Sequence, residues 1–151
     1  MRLYLDDVRT PVHEGWTVVR NYDDFVAEIK KHGLDKFEII SLDHDLGDTA
    51  MSEYYNNVKE NYIIDYSNIK EKTGYDAAKF LVSESITTKI PLPVIYVHSA
   101  NPIGTGNIIG YINNYFKNVK SEQKCIHVEI SHTIDEKHVM TLEERLKKWK
   151  K

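Results

Sequence analysis

The sequence predicts an α/β fold on a mostly parallel sheet, and three observations carry that expectation. Short segments rich in branched and aromatic residues recur along the chain, bounded by turn formers. Capped helical patterns fall between them, as they do in a sheet covered on both faces. Polar clusters follow three of the apolar segments directly, where an open parallel sheet places its ligand site.

Arg2 to Leu5 (RLYL) reads as the first strand and Trp16 to Arg20 (WTVVR) as the second. Only residues 6–15 join them, near the lower limit of a parallel crossover and too short for a full helix. Asn21 caps the first helix, in which Phe25, Val26 and Ile29 share a face, Asp23 and Asp24 favour its positive end, and Gly33 stops it. Glu38 to Leu42 (EIISL) is the third strand. Asp48 to Lys72 interrupts the rhythm with four of the ten tyrosines (Tyr54, Tyr55, Tyr62, Tyr66). So long a segment predicts partial helix, a lid or an added lobe rather than a bare loop, its tyrosines packing the lobe or stacking on a base. Thr73 caps the next helix, with Asp76 three residues on and Ala77, Phe80 and Leu81 on its inner side. Val94 to Val97 (VIYV) is the fourth strand, and a helix follows Asn101-Pro102 through Ile108, Ile109, Ile112 and Phe116. Cys125 to Ile130 (CIHVEI) alternates like an edge strand. Thr141-Leu142-Glu143-Glu144 opens a basic C-terminal helix over 141–151, with Leu146 and Trp149.

With 151 residues, 41% hydrophobic and 28% charged, the chain fits one globular domain over residues 1–151, with 48–72 as its insertion. A single cysteine, Cys125, allows no internal disulfide and no cysteine-rich zinc site, which suits a reducing cytoplasm. The start, MRLYLDDVR, meets two acids before any apolar stretch and predicts no signal peptide. IPLPVIYV at 90–97 is too short to span a bilayer, so no membrane segment is expected. A net charge of −3 argues against a duplex-DNA binder. Arg145, Lys147, Lys148, Lys150 and Lys151 crowd the terminus and read as a solvated helix end, or alternatively as a nucleic-acid tail.

The candidate chemistry lies where the strands end. The first runs into Asp6-Asp7 with Arg9 beyond, the third into Asp43-His44-Asp45 with Gly47, the fourth into His98-Ser99-Ala100-Asn101. Four carboxylates at one crevice repel each other unless a cation intervenes. All-oxygen ligands suit Mg²⁺ or Mn²⁺, so Asp6, Asp7, Asp43 and Asp45 are the candidate metal ligands, with His44 or His98 tolerating a softer ion. Such an ion neutralises a phosphate and orients or generates a hydroxide nucleophile. Arg9 offers a guanidinium fork for the same phosphate. Ser99 and Asn101 begin a helix, an anion-binding place, and Thr73-Gly74 begin another. His44, His98 and Asp43 are the candidate catalytic groups, the histidines as proton carriers. Plainer roles compete: the Asp pair as a turn device, His98 as a core histidine, Ser99, Asn101 and Thr73 as caps. His13, His32, His127, His132 and His138 show no ligand spacing. No nucleophile elbow, Walker loop or dinucleotide glycine pattern is present; Asn101 to Asn107 is weak as a phosphate loop.

Leu5-Asp6-Asp7-x-Arg9-x-Pro11 with Gly15-Trp16, Ser41-Leu42-Asp43-His44-Asp45-Leu46-Gly47, Thr73-Gly74-Tyr75-Asp76, and His98-Ser99-Ala100-Asn101-Pro102-x-Gly104 with Asn107 together resemble the cyclic-phosphate-processing receiver domain, a divergent relative of the response-regulator receiver. The resemblance covers roughly residues 2–117. It implies a flavodoxin-like, doubly wound five-stranded sheet in the order 2-1-3-4-5, an acidic pocket at its carboxyl edge, and a role on cyclic phosphates of nucleotides or RNA ends. By the receiver analogy Asp6 and Asp7 would hold metal, Asp43 would stand at the phosphoacceptor position, and Ser99 would match the hydroxyl residue after the fourth strand. The fifth strand offers no Lys-Pro pair, which counts against phosphorelay signalling. The expected function is a metal-dependent phosphoesterase opening a cyclic phosphate. Its alternatives are a protein that binds or sequesters a cyclic nucleotide or phosphorylated ligand, and, last, a phosphoacceptor receiver.

Overall fold

The computed structural model describes residues 1–129 and 141–148. Five strands form one sheet in the order β2-β1-β3-β4-β5, every neighbouring pair parallel. They are β1 (Arg2–Leu5), β2 (Trp16–Val19), β3 (Ile39–Leu42), β4 (Val94–Val97) and β5 (Ile126–His127). This is the flavodoxin-like order that the resemblance implies. The helices are α1 (Tyr22–His32), α2 (Asp48–Glu53), α3 (Lys59–Asn61), α4 (Gly74–Thr88), α5 (Pro102–Asn118) and α6 (Leu142–Lys148). Among the described residues no helix is long and apolar enough to cross a membrane.

Strand alternation divides the core in two. Leu3, Leu5, Ile40, Leu42, Ile95 and Val97 pack with Phe25 and Ile29 of α1, Ala77, Ala78 and Leu81 of α4, and Ile108, Ile112 and Phe116 of α5. The strand residues between them belong to the opposite face, where Ile39, Val94 and Tyr96 form a smaller cluster with Trp16, Ile126 and Val128. Right-handed crossovers from β2 to β3, β3 to β4 and β4 to β5 all advance in one direction, which brings α1, α4 and α5 to one side. The remaining crossover, residues 6–15, holds no helix.

The caps hold as expected. Asn21 accepts from Asp24 N at 2.8 Å, Asn101 from Gly104 N at 2.9 Å, and Thr73 and Asp76 form a capping box. Two elements differ. Ladder pairing in β5 covers only Ile126 and His127, because the Asn113 side chain bonds both backbone groups of Cys125, donating to its carbonyl at 3.3 Å and accepting from its N–H at 2.7 Å. Ile130, the end of the expected strand, lies outside the described residues, as do His132, His138, Trp149, Lys150 and Lys151. Arg145 is not solvated: it is 1% exposed, whereas Lys147 is exposed and pairs with Glu143 at 3.7 Å.

The insertion is partly helical. Between α2 and α3 the chain makes one π turn (Tyr54–Val58), and a 3-10 turn follows at Tyr66–Asn68. Two glutamates tie it down. Glu53, buried, accepts from Asn57 Nδ2 at 2.9 Å, Asp65 N at 2.7 Å and Asn68 Nδ2 at 2.9 Å. Glu71 accepts from Ala50 N at 2.7 Å and from the Thr49 hydroxyl.

Candidate functional site

β1, β3 and β4 end side by side, so the residues after them share one edge. Asp6 is fully buried there. Its Oδ1 accepts from the backbone N–H of Val8 (3.0 Å) and Arg9 (2.7 Å), and its Oδ2 accepts from Arg9 Nε (2.8 Å) and His98 Nε2 (3.1 Å). Burial by itself raises this carboxyl, but the bonds from His98 and Arg9 prevail and hold it well below the usual carboxylate range. Arg9 also reaches across to Asp43, Nη2 to Oδ2 at 3.2 Å. Arg20, at the end of β2, fixes that loop by donating to the carbonyls of Arg9 (2.6 Å) and Asp6 (3.2 Å) and to Thr10 Oγ1 (2.9 Å).

Asp43 is 3% exposed. Burial and then the charge of Asp6 push its carboxyl up to about 7, against the pull of Arg9. Asp7 is half-buried and raised by the same two causes. One carboxylate oxygen from each of Asp6, Asp7 and Asp43 lies within 4.8 Å of the other two. Hard oxygen donors at that spacing, two of them raised by burial and by the charge of Asp6, fit a divalent cation such as Mg²⁺ or Mn²⁺. Asp45 stands outside this trio: its Oδ1 accepts from His44 Nδ1 at 2.6 Å and Asn101 Nδ2 at 3.2 Å.

The two histidines go to different sides of the sheet edge. His98, fully buried, stacks on Tyr4 with ring centroids 4.1 Å apart. With Nε2 on Asp6, its Nδ1 meets Ser41 Oγ at 2.7 Å. His44, also fully buried, places Nδ1 on Asp45 and Nε2 on the Tyr66 hydroxyl at 3.0 Å, which accepts in turn from Asn107 Nδ2 at 3.0 Å. Gly104 lets α5 close over that ring, since a Cβ there would collide with the imidazole. Gly74 does the same for α4 against the backbone carbonyl of Asp43.

Asn101, Thr73 and Gly74 line the edge with their polar groups spent on the fold: Asn101 on Asp45 and Gly104, Thr73 on its capping box, Gly74 N on the carbonyl of His44 at 2.9 Å. Ser99 Oγ accepts from Asn101 N at 3.0 Å and keeps its own proton. Tyr66, Tyr4, Ser41 and Arg20 emerge as partners that sequence reasoning passed over. Ser41 carried a signal, as the one hydroxyl in an apolar strand; Tyr66 stood out only as an insertion ring that packs the lobe or stacks on a base, because its contact with His44 crosses the insertion.

No curated protein and no solved structure matches the chain. The family model of the cyclic-phosphate processing receiver domain matches residues 1–114, from β1 into α5. That span contains the acidic trio, both histidines and both helix starts, on the strand order of a receiver. The chain therefore belongs to the cyclic-phosphate processing receiver domain family.

Proposed function

We propose that the chain opens the ring of a cyclic phosphate, on a nucleotide or an RNA end, by adding water with the help of Mg²⁺ or Mn²⁺. The convergence of Asp6, Asp7 and Asp43, with the Asp43 carboxyl lifted to about 7, carries this reading. In the reaction the water oxygen bonds to phosphorus, one ring P–O bond breaks, and the water proton ends on the freed sugar oxygen. Asp6, Asp7 and Asp43 would hold the cation, which supplies charge neutralisation at the phosphate. Burial and the charge of Asp6 raise the Asp43 carboxyl to about 7 while no cation is bound, and a bound cation would draw it to the ionised form that coordinates. Arg9 turns its fork to the phosphate, and the Ser99 hydroxyl donates to it. His98 and His44 are positioning residues, orienting Asp6 and Asp45.

The test is incubation of the protein with Mg²⁺, Mn²⁺ or chelator against 2′,3′-cyclic and 3′,5′-cyclic mononucleotides and a cyclic-phosphate-ended RNA, read by mass spectrometry. Metal-dependent gain of one water on a single class is the expected result. A second reading, a protein that sequesters such ligands, draws on the burial of both histidines with all four ring nitrogens engaged. It predicts ligands recovered intact that nevertheless raise the melting temperature.

A further inference from the structure

Outside the acidic edge, a groove of about 320 Å³ runs between the end of the insertion and the start of α4. Lys70, Lys72 and Lys79 line it, all exposed, together with the rings of Tyr66 and Tyr75. Surface lysines ordinarily find acids nearby, and two acids do line this groove, but both are committed elsewhere. Asp76 closes the capping box of α4 by accepting from Thr73 N at 2.9 Å, and Glu71 accepts from Ala50 N and the Thr49 hydroxyl. Among the described residues none of the three lysines forms an ion pair. Lys79 Nζ lies 4.4 Å over the Tyr75 ring, and Tyr75 stacks on Tyr66 at 5.4 Å. Lys72 Nζ lies 5.2 Å over the Tyr22 ring, a weak hold that leaves its charge without an acid. In a chain of net charge −3, three lysines with no ion pair beside aromatic rings are a local excess suited to an anionic ligand with flat groups.

The groove adjoins the acidic edge through Thr73-Gly74, which packs on the backbone of Asp43, and through Tyr66, which bonds His44. We propose that it binds the phosphate backbone of a single-stranded oligonucleotide whose cyclic-phosphate end lies at the acidic edge. This rests on the functional reading above and narrows it. A cyclic mononucleotide has one phosphate, and the acidic edge takes that one. Further phosphates for three lysines must come from adjoining nucleotides, whose bases have the tyrosine rings beside them.

The test is fluorescence anisotropy with a labelled RNA hexanucleotide ending in a 2′,3′-cyclic phosphate, the same strand ending in a 3′-hydroxyl, and polyglutamate of equal charge, with the cyclic mononucleotide as competitor. The expected results are at least about tenfold tighter binding of either hexanucleotide than of the mononucleotide or polyglutamate, through phosphate contacts and stacking. The Lys70→Gln/Lys72→Gln/Lys79→Gln variant, checked for fold by circular dichroism, should lose that advantage. Its slope of log affinity against log salt should flatten by about 2, at about 0.7 per lost phosphate contact. Hexanucleotide affinity no better than that of the mononucleotide, equal binding of polyglutamate, or a triple variant with unchanged affinity and slope would overturn the proposal. If hydrolysis fails while the 3′-hydroxyl strand still binds through the lysines, the groove stands and the phosphoesterase reading falls; if hydrolysis occurs without lysine-dependent binding, the reverse holds.

Discussion

At the carboxyl edge of the sheet, Asp6, Asp7 and Asp43 crowd their charges around one guanidinium, while one residue further along the chain His44 begins a hydrogen-bonded chain through Asp45 and Asn101 on one side and Tyr66 and Asn107 on the other. In the second cluster every hydrogen bond has a donor and an acceptor and two helices close over it. In the first, like charges are held together against their repulsion. Repulsion of that kind persists where the fold is overdetermined by its surroundings, and the satisfied cluster is part of what overdetermines it. On the proposed reading, the acidic edge takes the cation and the phosphate, and the His44 cluster braces it.

The comparison breaks most sharply at Asp43. Asp43→Asn removes one of the crowded charges and with it a carboxylate ligand of the cation, so hydrolysis of a cyclic phosphate should fall at least about 100-fold. The metal-free variant should at the same time melt higher than the parent at pH 8, because the amide relieves the repulsion. A variant with full activity and a lower melting temperature would contradict both halves.

The pH dependence follows from the same carboxyl. The folded-state value of Asp43 is raised, so the folded protein holds the proton more tightly than the unfolded chain. Between the unfolded value of about 4 and the folded value of about 7, this group makes metal-free stability fall with rising pH, by up to about 1.4 kcal/mol per pH unit. Asp6 works with the opposite sign: its lowered value stabilises above the ordinary carboxylate range and is lost only in strong acid. Urea unfolding across this window should show the decline, and Mn²⁺ should flatten it. A decline that Mn²⁺ leaves unaltered would remove the acidic trio as the metal's place.

A smaller effect sharpens the other side. Gly104→Ala drives a methyl into the His44 ring and should cost about 1–3 kcal/mol in urea unfolding. Gly106→Ala, in the same helix with open space around it, should be stabilising by up to about 1 kcal/mol. Equal effects at the two positions would mean that α5 does not press on His44. Least of all, Tyr66→Phe strips the hydroxyl from His44 Nε2 and Asn107 and should cost about 1 kcal/mol.

Local signals in the sequence located the strands and caps, because alternation and capping act within a few residues: β1 and β4 fall on the expected residues, and Asn21, Thr73 and Asn101 cap their helices. The convergence of Asp6 with Asp43 was equally legible, given strands that end together. What partners each group takes across the sheet was not. Asp45 shares a motif with Asp43, yet it turns to His44 and Asn101. The spacing of the histidines says nothing of their contacts with Tyr4 and Tyr66, which cross from another strand and from the insertion. Arg145 reads as a surface charge by its neighbours, and only tertiary packing buries it.

The short, helix-free crossover from β1 to β2 also bears on how the chain folds. Pairing Arg2 with Trp16 closes a much smaller loop than pairing Ile39 with Val94, an entropy difference of about 1 kcal/mol in favour of the first. Central β1 thus gains its edge neighbour early and at little loss of chain freedom, without waiting for a helix to dock. The insertion lengthens the β3 to β4 closure instead, so joining the far half of the sheet carries the larger loss of chain entropy.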